Sequence, residues 1–199
     1  ALSALAAAAL AVPASARILD EAGVGAPFGS IAVGARAAAM GEAFTAVADD
    51  ATALFWNPAG LARVPDVEVQ FNHNQWLDDF QQEYFSVSIP VGGTFAAAYS
   101  VIDLGEFAEL DDEGLGTGKS FSADGQVLLL GYGRGIMNEV LLAGATLKLV
   151  KEDLGGDVSG QAMSVDAGVM VVPWHSVPGA SVGACVQNLG NDIRGFDLP

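Results

Sequence analysis

The stretch VLLAGATLKLV, residues 140–150, alternates between two classes of side chain. Gly144, Thr146 and Lys148 fall on one face of an extended chain, and the opposite face carries only aliphatic residues. The aliphatic residues are Leu141, Ala143, Ala145, Leu147 and Leu149. A period of two predicts a β-strand. An apolar row opposite a polar row, over about nine to eleven residues, is typical of a strand that crosses a bacterial outer membrane.

Working outward from this stretch, the same period predicts six further strands, over residues 67–76, 85–91, 94–103, 126–134, 162–172 and 180–189. Gly92-Gly93 and Met137-Asn138 supply short turns, whereas longer loops separate other strands. Short turns on one side and long loops on the other indicate an all-β protein, a transmembrane antiparallel β-barrel of the outer membrane. Such barrels normally close with an even number of strands. Seven predicted strands therefore favour a chain that covers roughly the first half of a larger barrel, over residues 65–199.

The composition excludes one class of partner. The formal net charge is -16, and only eight Lys and Arg residues are available, so nucleic-acid binding is not expected. Hydrophobic residues make up 51% of the chain, although the chain is highly charged. Alternating strands explain both figures, because they direct apolar residues toward lipid and polar residues toward a lumen. Much of the acidity falls in a predicted loop over residues 104–120 and beside it, which is either a solvated loop or a site for a divalent cation.

The first 16 residues, ALSALAAAALAVPASA, form an uncharged Ala- and Leu-rich run that ends in a small-x-small pattern. This pattern predicts part of a secretory signal peptide with its cleavage site at residue 16, although a buried Ala-rich helix is the alternative. Residues 17–64 would then form the N-terminal segment of the mature protein.

One part of that segment, GARAAAMGEAFTAVADDATALFWNPAGL (residues 34–61), does not fit a strand. Residues 35–48 favour a helix of small side chains, in which close packing is expected and Gly41→Trp should disturb it. Asp49 or Asp50 is expected to cap a second short helix over residues 51–55. Pro58 ends that helix and places Asn57 in a turn, where its amide can bond to nearby backbone. The segment is predicted to be a short helical hatch at the mouth of the sheet.

No catalytic constellation is present, and we expect neither enzyme activity, cofactor nor metal. His73 and His175 lie about a hundred residues apart and are interpreted as strand or turn residues. Cys185 is the only cysteine, so no intrachain disulfide can form, and a small apolar role is expected for it. Four aromatic residues are candidates for an interfacial girdle or for ordinary strand positions: Trp76, Tyr84, Tyr132 and Trp174.

Several motifs resemble those of the PorV/PorQ outer-membrane proteins, which belong with the FadL-type long-chain fatty-acid transporters. In the N-terminal segment these motifs are GARAAAMGEAF (34–44), ADDA (48–51) and WNPAGL (56–61). Within the strands they are FSA (121–123), GYGR (131–134), LKL (147–149), DAG (166–168) and QNLG (187–190).

The resemblance implies a barrel of about 14 strands when complete, with its N-terminal segment folded inside as a hatch. It implies a role in translocation or export at the outer membrane, of the kind that serves type IX secretion, or alternatively uptake of fatty acids or other hydrophobic compounds. A secreted structural β-protein is a further alternative. Outer-membrane lipid would be a partner, together with secretion-machinery proteins or hydrophobic small molecules. The hatch residues that match are Gly34, Arg36, Met40, Gly41, Asp49, Asp50, Asn57, Pro58, Ala59 and Gly60.

Overall fold

The computed structural model describes residues 31–76, 80–110, 114–137, 140–155, 159–172 and 180–190. They form one seven-stranded antiparallel sheet in which each strand pairs with the next along the chain. The strands are β1 Glu68–Gln75, β2 Gln81–Pro90, β3 Thr94–Leu110, β4 Gly116–Ile136, β5 Leu141–Asp153, β6 Ser159–Val171 and β7 Val182–Gly190. The predicted all-β class and the seven strands are confirmed. The sheet is open, with β1 and β7 as its edges.

Within the described ranges, helical structure is confined to short segments before β1. These are α1 Ala35–Ala39, α2 Ala53–Trp56 and a 3₁₀ helix over Pro58–Arg63. The predicted helix over residues 35–48 is confirmed only as far as Ala39. Its extension to residue 48 is wrong, because Gly41 and Glu42 adopt φ angles of 61° and 66° and turn the chain out of the right-handed helix. Among the described residues, no helix is long and apolar enough to span a membrane.

The predicted acidic loop over residues 104–120 is also wrong. β3 and β4 continue past their outer neighbours, which end where Gln81 pairs with Asp103 and Asp153 pairs with Asp124. Beyond those pairs, β3 and β4 pair only with each other and form a protruding two-stranded ribbon. Phe107 and Phe121 stack on the ribbon with ring centroids 5.6 Å apart. Within the described residues, no cluster of three or more potential ligands could hold a metal ion.

The two faces of the sheet differ sharply in polarity. On the face that carries Leu147, here called the outer face, one row of paired residues is entirely apolar and runs from β1 to β6. This boundary row consists of Phe71, Phe85, Tyr99, Leu128, Leu149 and Met163. The next row toward the ribbon is polar except for Val101: His73, Glu83, Val101, Gln126, Lys151 and Gln161.

On the other side of the boundary row, the outer face stays apolar down to the β4–β5 and β6–β7 connections. Arg134, next to the β4–β5 connection, is the one charged strand residue among the described positions of this region. The opposite, inner face mixes small, polar and aliphatic residues. Ser86, Ser88, Ser100 and Thr146 are buried there, together with Leu129, Leu142 and Met170. The sheet is therefore apolar outside and mixed in polarity inside, where its aliphatic residues pack with the hatch.

Several expectations fall on residues outside the described ranges: the signal peptide (1–16), Trp174 and His175. Of the candidate girdle aromatics, Tyr132 lies on the outer face, where its hydroxyl donates to the Gly92 carbonyl at 2.8 Å. Tyr84 points to the inner face and is fully buried, so a girdle position for it is wrong.

Candidate functional site: the seat of the hatch

Residues 31–64, here called the hatch, lie against the inner face of the sheet. The closest approach is over a row of paired residues in β4–β7 that begins with three glycines, Gly133, Gly144 and Gly168, and ends at Cys185. A Cβ atom at Gly144 would lie 2.3 Å from the carbonyl carbon and oxygen of Pro58, and one at Gly133 would lie 2.5 Å from that oxygen. Only glycine permits this distance, so these glycines let the hatch backbone rest directly on the sheet.

Asn57 is the hatch residue that sits deepest on this glycine row. Its side-chain oxygen accepts a hydrogen bond from the Ala59 N–H at 3.1 Å, and its amide nitrogen donates to the Thr45 carbonyl at 2.8 Å. A Cβ at Gly168 would lie 1.9 Å from the Asn57 side-chain oxygen. Asn57 is fully buried, so its amide satisfies backbone groups that water cannot reach. The predicted turn role of Asn57 is confirmed.

The tetrapeptide Asn57-Pro58-Ala59-Gly60 forms a compact corner. Pro58 ends α2, as predicted, and also occupies the first turn of the 3₁₀ helix, where its missing N–H and fixed φ angle cost nothing. Pro58, Ala59 and Gly60 are all buried. A Cβ at Gly60 would lie 2.4 Å from the Ala48 carbonyl oxygen, so this glycine allows two hatch segments to cross in contact.

Side chains from the inner face hold hatch carbonyls that have no helical partner. The Thr146 hydroxyl donates to the Leu54 carbonyl at 2.9 Å, and the Gln187 amide donates to the Phe55 carbonyl at 2.7 Å. The Ser181 hydroxyl, just before β7, donates to the Ala46 carbonyl at 2.6 Å. These bonds satisfy the carbonyls at the end of a short helix and in the preceding turn. They fix the hatch on β5 and β7.

A buried ion pair lies beside this seat. Lys148 Nζ is 2.7 Å from Asp166 Oδ2, and both side chains are almost completely inaccessible. Lys148 Nζ also donates to Asn188 Oδ1 at 3.1 Å and lies 5.2 Å from the ring centroid of Phe55 in the hatch.

A β-bulge in β7 directs a backbone N–H toward the carboxylate of this ion pair. The β6–β7 register shifts between Val165 and Ala167, so that β7 carries one extra residue opposite Asp166. At this bulge Asn188 adopts a φ of 58°, and its N–H donates to Asp166 Oδ1 at 2.7 Å. The charges are paired and hydrogen-bonded, as buried charges must be.

At the hatch rim, a second charged cluster joins residues distant in sequence. Arg36 forms an ion pair with Asp49 and lies 3.5 Å from Asp50 Oδ2. The hydrogen bond to Asp49 raises the pKa of Arg36 above its ordinary value. Asp50 Oδ1 accepts from the Thr52 N–H at 2.9 Å in the turn before α2. The predicted carboxylate cap is wrong, because α2 begins at Ala53 with Thr52 as its N-cap and has no side-chain cap hydrogen bond. Because the Arg36 side chain is 53% exposed, the cluster contributes little stability and mainly sets the register of the hatch.

The predicted hatch residues have four different environments. Asn57, Pro58, Ala59 and Gly60 form the buried corner, and Arg36, Asp49 and Asp50 form the rim cluster. Gly34 is the N-cap of α1, with a φ of 90°. Met40 and Gly41 are exposed, and a Cβ at Gly41 would meet no atom within 4 Å. The expectation that Gly41 serves close packing is therefore wrong, because its left-handed φ angle is what requires glycine.

The sheet residues of the seat were not recognised from the sequence as a site. Gly131-Tyr132-Gly133 reads as two strand glycines flanking an aromatic, and Gly144 and Gly168 as single small residues. One signal in the sequence points to the seat: within each strand, these glycines fall on the face opposite the aliphatic side chains. Their common row becomes apparent only with the strand register.

The remaining candidates that the structure describes are His73 and Cys185. His73 Nδ1 lies 2.6 Å from Glu83 Oε1 in the polar row of the outer face. Cys185 is half-buried on the inner face, at the end of the glycine row.

Comparison with known proteins identifies a family. The model of the Uncharacterised protein family (UPF0164) matches residues 6–111, just over half of the chain, which include the hatch, β1, β2 and β3. No curated protein and no solved structure matches the chain.

Proposed function

This chain belongs to the Uncharacterised protein family (UPF0164), and we propose that it is an outer-membrane β-barrel protein of the PorV/PorQ type. In this proposal the seven strands are part of the barrel wall, the outer face contacts lipid, and the hatch lies in the lumen. The protein acts in translocation or export across or at the outer membrane.

The observation that carries the proposal is the exposed apolar outer face of the sheet, which lies opposite a face that the hatch covers. In water, the outer face would be one apolar surface across all seven strands, more than soluble monomers normally expose. In a bilayer the same face is at its lowest free energy, and the polar inner residues are screened by the hatch.

The dimensions support the same conclusion. On β4 the outward residues from Leu128 to Ile136 span eight steps along the strand, about 27 Å at about 3.4 Å per residue. At a strand tilt of about 35–45° this corresponds to roughly 19–22 Å, close to the apolar band of about 25 Å in outer-membrane barrels. The open edges at β1 and β7 require further strands, because unpaired backbone groups are not tolerated in lipid.

The contact between the hatch and β2–β4 leaves no space for a hydrophobic substrate at that place. Between the hatch and β2–β4 there is a cavity of about 10 Å³, lined by Val33, Phe55, Tyr84 and Ser100 among others. This volume accommodates about one water molecule and no hydrophobic substrate. FadL-type uptake, the alternative function, requires the hatch to move or a larger space elsewhere in the lumen.

The experiment is fractionation of the cells, followed by electrophoresis of the detergent-extracted protein with and without heating. Recovery with outer membranes and a heat-dependent change in migration are expected of a barrel. Recovery as a soluble protein would contradict the proposal and favour a secreted structural β-protein.

Deletion of the gene separates the two membrane functions. Export predicts that surface proteins accumulate in the periplasm of the deletion strain while fatty-acid uptake is unchanged. The reverse result would replace export by uptake.

A further inference from the structure

Two open depressions meet on the outer face where its apolar and polar parts join. The first has a volume of about 460 Å³, and its apolar walls include Tyr99, Leu128, Leu149 and Met163. The second has a volume of about 370 Å³ and is lined by Lys151, Ser159, Gly160 and Gln161. Lys151 and Gln161 line both depressions, so they form a continuous groove from an apolar to a polar end.

The polar groups of the groove are arranged to receive a phosphate. Gln126, Lys151 and Gln161 are paired neighbours in one row. The Tyr99 hydroxyl donates to Gln126 Oε1 at 2.9 Å, which leaves the amide N–H groups of Gln126 as donors. No ion pair of Lys151 occurs among the residues that the structure describes, in contrast to Arg36, Arg63 and Lys148.

Negative charge follows one row farther from the apolar face. Asp103, Asp124 and Asp153 are paired neighbours there, and Asp153 pairs with Ser159. This row is two residues away along the strands, about 7 Å from the Lys151 row. The outer face therefore presents, in order, an aliphatic surface, a cation with amide donors, and a row of carboxylates beyond the groove.

We propose that this groove binds one zwitterionic phospholipid whose headgroup ends in a primary ammonium, as in phosphatidylethanolamine. The proposal rests on the membrane location proposed above. An acyl chain lies along Leu128, Leu149 and Met163, and the phosphate accepts hydrogen bonds from Lys151 and the neighbouring amides. The ammonium, two carbons beyond the phosphate, donates to Asp124 and Asp153.

The same order of charges rejects other headgroups. Phosphatidylglycerol carries no ammonium, so its headgroup places no positive charge beside the carboxylates of Asp124 and Asp153. The trimethylammonium of phosphatidylcholine has no N–H to donate and is bulkier. Selectivity for the primary ammonium is thus a direct consequence of the carboxylate row.

The test measures lipid that remains bound to the whole protein after detergent purification from vesicles of phosphatidylethanolamine, phosphatidylglycerol or phosphatidylcholine. Native mass spectrometry should detect one phosphatidylethanolamine per chain, in at least several-fold preference to the other two lipids. Lys151→Gln removes a charge-assisted hydrogen bond and should lower this retention about tenfold. Lys119→Gln, which removes an exposed charge from the ribbon, should leave it unchanged.

A second variant tests the selectivity for the headgroup separately from the retention of lipid. Asp124→Asn should retain a lipid but reduce the preference for phosphatidylethanolamine over phosphatidylglycerol at least threefold. Equal retention of all three lipids by the unaltered protein, or full retention by Lys151→Gln, would overturn the proposal. If these results occur while heat-modifiable migration persists, only the lipid proposal fails and the proposed barrel stands. If the protein is soluble and shows no heat-modifiable migration, the proposed membrane function fails as well.

Discussion

Adding a single methyl group at Gly144 should lift the hatch from the sheet. The Cβ of Gly144→Ala would lie 2.3 Å from the carbonyl group of Pro58 and 2.7 Å from the Ala59 nitrogen. Gly144 itself is held on both sides by the ladder to Gly133 and Gly168. The hatch corner must therefore move by about 1 Å to restore van der Waals contact.

The change in the free energy of unfolding expected for Gly144→Ala is the sum of opposing effects. Overpacking of a close-packed interior costs about 1–3 kcal/mol, and replacing a strand glycine by alanine returns about 0.5–1 kcal/mol. Displacement also strains the bonds of Asn57 to Ala59 and Thr45, each worth about 1 kcal/mol. We expect a net loss of about 1–3 kcal/mol in the free energy of unfolding.

The assay is urea denaturation of the detergent-solubilised protein, combined with limited trypsin cleavage after the partly buried Arg63. Gly144→Ala should lower the urea midpoint and accelerate this cleavage. Gly116→Ala is the matched control, because it lies in a strand with no atom within 4 Å of the added Cβ. If both variants behaved alike, the hatch would not rest on Gly144 and the account of the seat would be refuted.

Three further variants test the remaining contacts by the same denaturation assay. Asn57→Ala leaves the Ala59 N–H and the Thr45 carbonyl without these bonds and should cost about 1–3 kcal/mol; an unchanged midpoint would exclude its bridging role. Lys148→Met leaves Asp166 buried without its cation and should cost about 3–5 kcal/mol, whereas Lys148→Met combined with Asp166→Leu should recover most of the loss; no recovery would mean that the two charges act independently. Arg36→Gln should cost less than about 1 kcal/mol, because its ion pairs are exposed, and a larger loss would show that the rim cluster is more than a surface contact.

The strands could be predicted from the sequence because each carries an apolar run at alternate positions. In residues 141–149 every odd-numbered position is aliphatic, and the observed β5 begins within one residue of the predicted start. The ribbon beyond Asp103 escaped prediction because both of its faces are exposed, so polar residues and glycines occupy positions of either parity.

The hatch could be located but not described in detail. Asn57 and Pro58 signal a turn through their own local chemistry, whereas the end of α1 depends on left-handed angles at Gly41 and Glu42. A non-glycine residue at a positive φ angle leaves little trace in a single sequence. The glycine row was hidden for another reason: its members lie in three strands, and only the register brings them under the hatch corner.

The central claim, a sheet with lipid outside and a hatch inside, is tested most directly by spin labels along β5. Single cysteines at the odd-numbered residues 141–149 and at Leu142 and Val150, introduced in a Cys185→Ser background, would carry the labels in reconstituted vesicles. The odd-numbered positions should be accessible to oxygen and inaccessible to a water-soluble nickel complex. The buried positions Leu142 and Val150 should be shielded from both. Odd-numbered positions that the nickel complex reaches would place the outer face in water and contradict the account.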